Sequence, residues 1–275
     1  MTTIAQWLTR ATTSLKKAGI DSAKLDAEII LAHTLRKGRT YLHAYRDEPV
    51  PLRELDIADA RLELRLERTP IAYIIGHKEF YGRRFRVTPA TLIPRPDSEI
   101  IIDVLKQRLP KMTLPLSGES LRLVDIGTGS GILGITAKLE FPELEVTLTD
   151  ISKYALNIAK FNAEKLGADV TILQSDLLTY YPYDATFILA NLPYVDPAWE
   201  RSPETAYEPE SALFAKDHGL YLIKNLIQQA INRLLPHGLL ILEADPRQHN
   251  AIKNSAKEHG FTKIETHEFI VTLER

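Results

Sequence analysis

Beyond Leu121 the chain alternates short apolar runs with helical patterns, and that alternation narrows the fold more than any other feature. Strands are predicted over 121–126, 144–149, 170–174, 186–190 and 239–243, with helices after Gly131, over 153–166 and around 221–235. A last strand pair, 262–266 and 268–273, closes the chain. Strands that alternate with helices predict a parallel, doubly wound α/β sheet with ligands at the carboxyl ends of its strands.

The first third reads differently. Ile4, Trp7, Leu8, Ala11 and Leu15 follow a helical rhythm that stops at Gly19. Asp21 is the expected cap of a second helix carrying Leu25, Ile29, Ile30 and Leu35, and a further helix is expected over 52–66. Together these predict a small helical bundle, for packing or recognition, without catalytic chemistry of its own. Trp7 there, and Trp199 later, read as packing residues. Phe80, Tyr81, Phe85 and Val87, grouped around Gly82-Arg83-Arg84, predict a β-hairpin. Pro89, Pro94 and Pro96 punctuate a connector. A helix with an Ile101, Ile102, Leu105 stripe then starts at Ser98, and a loose linker is expected over 110–120. The expected boundaries are 1–76 for the bundle, 77–97 for hairpin and connector, and 98–275 for the α/β domain.

Composition removes several chemistries. With no cysteine, disulfides, thiolate metal sites and cysteine nucleophiles are excluded, and the eight histidines show no paired ligand spacing, so no metal is expected. A net charge of -2 gives no general reason for nucleic-acid binding. The amino terminus lacks the basic and apolar regions of a signal peptide, and no apolar run approaches membrane-spanning length. The reading is a cytoplasmic protein with no membrane contact.

Val124-Asp125-Ile126-Gly127-Thr128-Gly129-Ser130-Gly131 falls between the first sheet strand and its helix. Glycines there let the backbone turn sharply and approach a ligand. Such a run alone is weak, because dinucleotide folds use similar glycines, and Gly134 leaves some ambiguity. Asp125, however, suits the ammonium of an amino-acid moiety better than a pyrophosphate. Asp150 ends the second strand, where a carboxylate can accept from both ribose hydroxyls. Asp176 follows the third strand and can accept from an adenine amino group, with Leu177 covering the ring. Any one of these aspartates could be a helix cap. Three at successive strand ends point to S-adenosylmethionine.

Asn191-Leu192-Pro193-Tyr194 follows the predicted strand 186–190. As an isolated tetrapeptide it could be an ordinary polar turn. Below a cofactor loop it suits the task of holding a planar, weakly nucleophilic NH2 group. Asn191 Oδ1 and a backbone carbonyl can accept its two hydrogens, and Tyr194 can stack on the flat group.

These residues resemble the bacterial release-factor glutamine methyltransferases (the HemK/PrmC type) over nearly the whole chain. The specific stretches are Pro70-Ile71-Ala72-Tyr73-Ile74-Ile75-Gly76, Glu79-Phe80-Tyr81-Gly82 and Leu92-Ile93-Pro94-Arg95-Pro96-Asp97-Ser98-Glu99, with the two motifs above and Tyr207-Glu208-Pro209. The resemblance implies a class I S-adenosylmethionine-dependent, Rossmann-like domain behind a helical bundle and hairpin. It implies methylation of the glutamine amide in the Gly-Gly-Gln tripeptide of class I peptide chain release factors. Asp125, Gly127, Thr128, Gly129, Ser130, Gly131, Asp150, Asp176, Leu177 and Asn191 would meet the cofactor. Asn191, Leu192, Pro193 and Tyr194 would hold the glutamine, with Arg95 a further substrate contact or a brace together with Glu99. Glu208 would fix a loop, and the enzyme would act as a monomer. Three stretches depart from the family pattern: Leu192 where proline is usual, Ala215-Lys216-Asp217-His218-Gly219, and Glu243-Ala244-Asp245-Pro246-Arg247-Gln248. Glutamine methylation of a ribosomal protein, adenine-N6 methylation of nucleic acid, and a cofactor-binding module without turnover remain alternatives.

Overall fold

The computed structural model describes residues 1–111 and 121–275, so most of the linker expected over 110–120 lies outside the described residues. The chain forms two compact units: Met1–His77 together with Ser202–Tyr207, and Lys78–Arg201 together with Glu208–Arg275.

The first unit is helical. Helix α1 (Ile4–Lys17) starts at a capping box in which Thr3 Oγ1 accepts from Gln6 N and Gln6 Oε1 accepts from Thr3 N. Its buried face is Ile4, Trp7, Ala11 and Leu15, and the Trp7 indole donates to Asp59 Oδ1 at 2.6 Å. Helix α2 (Ala23–Leu35) is preceded by Ser22, not Asp21, and Ser22 Oγ donates to Asp26 Oδ2 at 2.8 Å. Its inner face is Ala23, Ala27, Ile30 and Leu31, whereas Leu25 is 43% exposed. Small alanines let α2 approach α1 closely, and that moves the buried stripe off Leu25. Short α3 (Arg39–Ala44), α4 (Leu52–Leu66) and α5 (Ile71–Ile75) complete the bundle.

Arg65 on α4 is buried and has two carboxylate partners, Asp26 Oδ2 at 2.7 Å and Glu204 Oε1 at 3.0 Å. Arg68, held at φ +73°, donates to the Ala18 and Gly19 carbonyls at the end of α1. The Tyr207 hydroxyl donates to the Glu67 carbonyl, so the Ser202–Tyr207 segment is tied to α4 and its cap through Glu204 and Tyr207.

In the second unit, β1 (His77–Phe80) and β2 (Arg83–Arg86) form the expected hairpin, but the turn sits one residue earlier than Gly82-Arg83-Arg84 suggests. Tyr81 and Gly82 occupy the corner at φ +48° and +72°, as a tight two-residue hairpin demands. Phe80 and Phe85 enter the same core as Ile101, Ile102 and Leu105 of α6 (Glu99–Arg108). Glu99 Oε1 accepts from Tyr81 N at 2.7 Å and so holds the corner.

The sheet comprises β3 (Arg122–Ile126), β4 (Glu145–Asp150), β5 (Thr171–Gln174), β6 (Ala185–Ala190), β7 (Leu234–Glu243), β8 (Lys263–His267) and β9 (Ile270–Glu274), in the order β5-β4-β3-β6-β7-β9-β8. Helices α7 (Ile132–Glu140), α8 (Lys153–Leu166), α9 (Glu210–Leu213), α10 (Tyr221–Ala230) and α11 (His249–Glu258) connect the strands. The sheet is mixed and not purely parallel, because β9 runs antiparallel to both β7 and β8. Only two residues, Glu268 and Phe269, join β8 to β9, which is too short for a parallel crossover. The helix expected over 221–235 stops at Ala230, and β7 begins at Leu234 with a register shift where Pro236 and Gly238 interrupt regular pairing. Helix α11 escapes the sequence periodicity, although Asp245 and Gln248 form a capping box ahead of it.

Arg65 supplies a test of the bundle. Replacing it with alanine strands the buried Asp26 carboxylate, with an expected loss of about 3–5 kcal/mol of stability. Urea unfolding of Arg65→Ala checks this; a loss below about 1 kcal/mol would match an exposed pair instead.

Candidate active site

The site is built where four parallel strands end. Ile126 pairs with Thr149 and with Ala190, and Ala190 pairs with Leu242. The next residues along, Gly127, Asp150, Asn191 and Glu243, therefore lie in one row. They face the side where the strand order reverses direction around β3 and β6, the usual ligand side of such sheets.

Two aspartates organise the glycine-rich loop. Asp125 is 1% exposed, and its Oδ2 accepts from Thr128 Oγ1 at 2.6 Å and Gly134 N at 2.9 Å. Burial pushes its carboxyl up to about 6, against the effect of those two hydrogen bonds. Asp150 accepts from Gly129 N at 2.9 Å and Ser152 N at 2.8 Å; burial raises its carboxyl too, opposed by the same backbone donors. At Gly127, φ +66°, an added Cβ would lie 2.9 Å from Leu192 Cδ2, so Leu192 packs directly over the loop. Asn162 of α8 braces the loop from behind. Its Nδ2 donates to the Ser130 carbonyl at 2.8 Å and the Arg86 carbonyl at 3.0 Å, while Oδ1 accepts from Arg86 N at 2.8 Å.

A cleft open to solvent lies over this loop. Of the residues singled out in the sequence, Arg95, Asp125, Gly127, Thr128, Gly129, Ser130 and Asn191 line it, with Leu92, Pro94, Ile132 and Leu133 beside them. Gly131, Asp150, Asp176, Leu177, Leu192, Pro193 and Tyr194 do not line this cleft. Asp176 is exposed, and Leu177, at φ +49°, packs into the core beside β6. The cleft suits S-adenosylmethionine chemically: a buried carboxylate at one wall fits an ammonium, and the bare glycine backbone admits a ligand at close range.

The tetrapeptide is held by residues that motif reading passes over. Asn191 Nδ2 donates to Ser98 Oγ at 2.9 Å and Glu243 Oε2 at 3.0 Å. The Tyr194 hydroxyl donates to Glu243 Oε1 at 2.9 Å; burial, then Glu243 itself, pushes the phenol up, so it remains a donor. Gln248 Nε2 donates to the carbonyls of Tyr194 at 2.7 Å and His218 at 2.8 Å. The loop that departs from the family pattern at 215–219 takes left-handed backbone at Asp217, His218 and Gly219. Only glycine fits at the last, where a Cβ would lie 1.9 Å from the Tyr194 carbonyl oxygen. Glu208 accepts from Ile93 N at 2.9 Å and from the Arg95 guanidinium, fixing the Leu92–Pro94 wall of the cleft. Ser98 lay inside a stretch already singled out. Glu243 carried one readable signal, a carboxylate ending an apolar strand.

A model of the PrmC N-terminal domain matches residues 6–76, and a model of the methyltransferase small domain matches residues 98–206. The release factor glutamine methyltransferase of Salmonella typhimurium is 36% identical over 267 residues, covering 94% of this chain and 92% of its own length. The chain belongs to the release factor glutamine methyltransferase family. A relative of the same name from Deinococcus radiodurans is 35% identical over 244 residues, covering 87% of this chain and 85% of its own. Among solved structures, a methyltransferase from Pyrococcus furiosus matches with TM-score 0.52 at 19% identity, over 78% of this chain and 96% of its own, which supports the fold alone. As a family member the chain is a methyltransferase, and among its described residues no helix is long and apolar enough to cross a membrane.

The Gly219 contact gives a test within this site. Gly219→Ala must move either the loop or the Tyr194 carbonyl, at an expected cost of about 1–3 kcal/mol and with reduced methyl transfer. Thermal melting and turnover of the variant check this. Wild-type values of both would mean that Tyr194 does not depend on this seat.

Proposed function

We propose that this protein transfers the methyl group of S-adenosylmethionine to the side-chain amide nitrogen of a glutamine, that of the Gly-Gly-Gln tripeptide in class I peptide chain release factors. Family membership supports the substrate class, and one observation supports the chemistry. The nitrogen end of the Asn191 amide faces Ser98 and Glu243, so its oxygen is turned the other way as an acceptor.

A glutamine amide presents two hydrogens in one plane, and its nitrogen lone pair is delocalised into the carbonyl. Asn191 Oδ1 takes one hydrogen and a backbone carbonyl, that of Leu192, takes the other. Pro193 keeps Leu192 extended, and the Tyr194 ring lies along the flat group. Pinned by both hydrogens, the nitrogen offers its electron density in one direction only. S-adenosylmethionine, when bound, supplies an electrophilic methyl carbon on a positively charged sulfur. Asp125, the loop from Gly127 to Gly131, Asp150, Asp176 and Leu177 are the residues proposed to hold it. Alkylation makes the amide nitrogen acidic, and its proton then leaves to solvent without a strong base. Orientation of this kind is worth as much as ~7–11 kcal/mol.

In this reading residues 98–275 carry the chemistry, while the 1–76 bundle and the 77–97 connector recognise the rest of the release factor. The protein works as a cytoplasmic monomer, without direct nucleic-acid contact. The experiment is incubation with unmodified release factor and cofactor, followed by peptide mass mapping of any added methyl group. Methylation at the Gly-Gly-Gln glutamine is expected; methyl transfer only to a ribosomal protein or to adenine would replace this reading. Asn191→Ala should lower turnover by roughly 100-fold, with cofactor affinity within a few-fold of wild type. Turnover close to wild type would remove Asn191 from the mechanism.

Asp125 adds a pH signature. Its carboxyl is raised to about 6, so it loses its charge as pH falls through that value, and cofactor affinity should weaken there. The free protein should show the opposite trend from this group: the folded state binds its proton more tightly than the unfolded chain, so stability from Asp125 rises as pH falls from about 6 toward 3.8. Calorimetric titration of the cofactor across pH 5–8 checks the affinity and thermal melting across pH 4–7 checks the stability, each compared with Asp125→Asn; a pH dependence of affinity that persists in the variant would assign it elsewhere.

A further inference from the structure

We propose that Glu243 is the positioning residue that decides which end of the Asn191 side-chain amide faces the reacting glutamine. The inference rests on the glutamine-methylating reading above. It answers a question that the tetrapeptide leaves open. The two ends of an asparagine amide are nearly identical in shape, so nothing in Asn191 itself selects oxygen over nitrogen. The choice is decisive for function: a flipped Asn191 would set its own N–H groups against the substrate hydrogen that its oxygen should accept.

The neighbours make the choice. Glu243 Oε2 lies 3.0 Å from Asn191 Nδ2 and, as a carboxylate oxygen, offers lone pairs only. Ser98 Oγ lies 2.9 Å from the same nitrogen and could in principle donate or accept. Its single hydrogen is already given to Glu243 Oε2 at 2.5 Å, so it too turns lone pairs toward Asn191. Only the NH2 end of Asn191 fits between these two acceptors. Glu243 Oε1 meanwhile accepts from the Tyr194 hydroxyl at 2.9 Å, so one carboxylate fixes both polar side chains of the tetrapeptide.

Strand register places it there. Ala190 of β6 pairs with Leu242 of β7, so Asn191 and Glu243 are the next residues of adjacent parallel strands. Glu243 is 2% exposed, and desolvation of a carboxylate is costly where packing alone would be served by an apolar residue. Glu243 does not line the cleft that Asn191 lines, so it acts through Asn191 and Tyr194 and not on the reacting atoms.

The test compares purified full-length wild type with Glu243→Met and Glu243→Gln, using unmodified release factor and S-adenosylmethionine. Glu243→Met keeps the length of the side chain and removes both acceptors; kcat should fall roughly 100-fold while the cofactor Kd stays within about threefold. Glu243→Gln retains one oxygen, which can face Ser98 and Asn191 while its NH2 group donates to the Tyr194 oxygen. It should recover to within about tenfold of wild-type kcat. A second pair avoids any dependence on the folding of Glu243→Met. Asn191→Asp sets two carboxylates against each other, and adding Glu243→Gln gives the aspartate a donor. The double variant should exceed Asn191→Asp alone by roughly tenfold or more, where a purely packing role for Glu243 predicts a further loss. Glu243→Met with near-wild-type kcat, or a double variant no better than Asn191→Asp, overturns the inference. Failure of the wild type to methylate the release-factor glutamine overturns the substrate reading instead, so the two failures are separable.

Discussion

Buried carboxylates at strand ends, each needing donors, shape the catalytic unit. A carboxylate removed from water costs several kcal/mol unless hydrogen-bond donors surround it. Asp125 finds its donors in Thr128 and Gly134, and in doing so closes the glycine-rich loop around itself. Asp150 takes the Gly129 and Ser152 amides, which ties the same loop to the next strand and helix. Glu243 gathers Ser98 from one distant part of the sequence and Asn191 and Tyr194 from another. Glu208, further out, collects Ile93 and Arg95. Loop conformation thus follows from the demand of each charge for partners, and the cleft is what those loops leave between them.

Departures from the family pattern become intelligible on the same terms. Leu192 fills the space above Gly127 with an apolar side chain, and the following proline keeps its backbone extended. In the 215–219 loop, Asp217 and His218 adopt left-handed backbone at a modest cost, whereas Gly219 occupies the one position where a side chain has no room. The stretch from Glu243 to Gln248 contributes Glu243 to the tetrapeptide and Gln248 to the Tyr194 and His218 carbonyls.

Periodicity made the long elements legible. Helices α1, α4 and α8 and strands β3 to β6 carry strong patterns, and the structure places them within a residue or two of expectation. What escaped was decided by partners outside the local sequence. Leu25 fits a helical stripe, yet α2 turns its alanines inward because α1 packs close. The antiparallel course of β9 follows from a two-residue turn that an alternating strand–helix reading does not weigh. Asn191 and Tyr194 stand out by spacing, but Ser98 and Glu243, which meet Asn191, are 93 and 52 positions away from it in the sequence, and no local pattern encodes that.

The hexapeptide Ser202–Tyr207 clusters with the helices although its chain neighbours on both sides belong to the other unit. No single cut in the polypeptide therefore isolates the bundle intact. A fragment ending at His77 would keep the Arg65 guanidinium beside Asp26 but lose the second carboxylate that faces it, and Glu67 would lose the phenol that caps its carbonyl. The helical module is thus defined by its contacts and not by a contiguous span, and any dissection of this chain must carry that distant segment along.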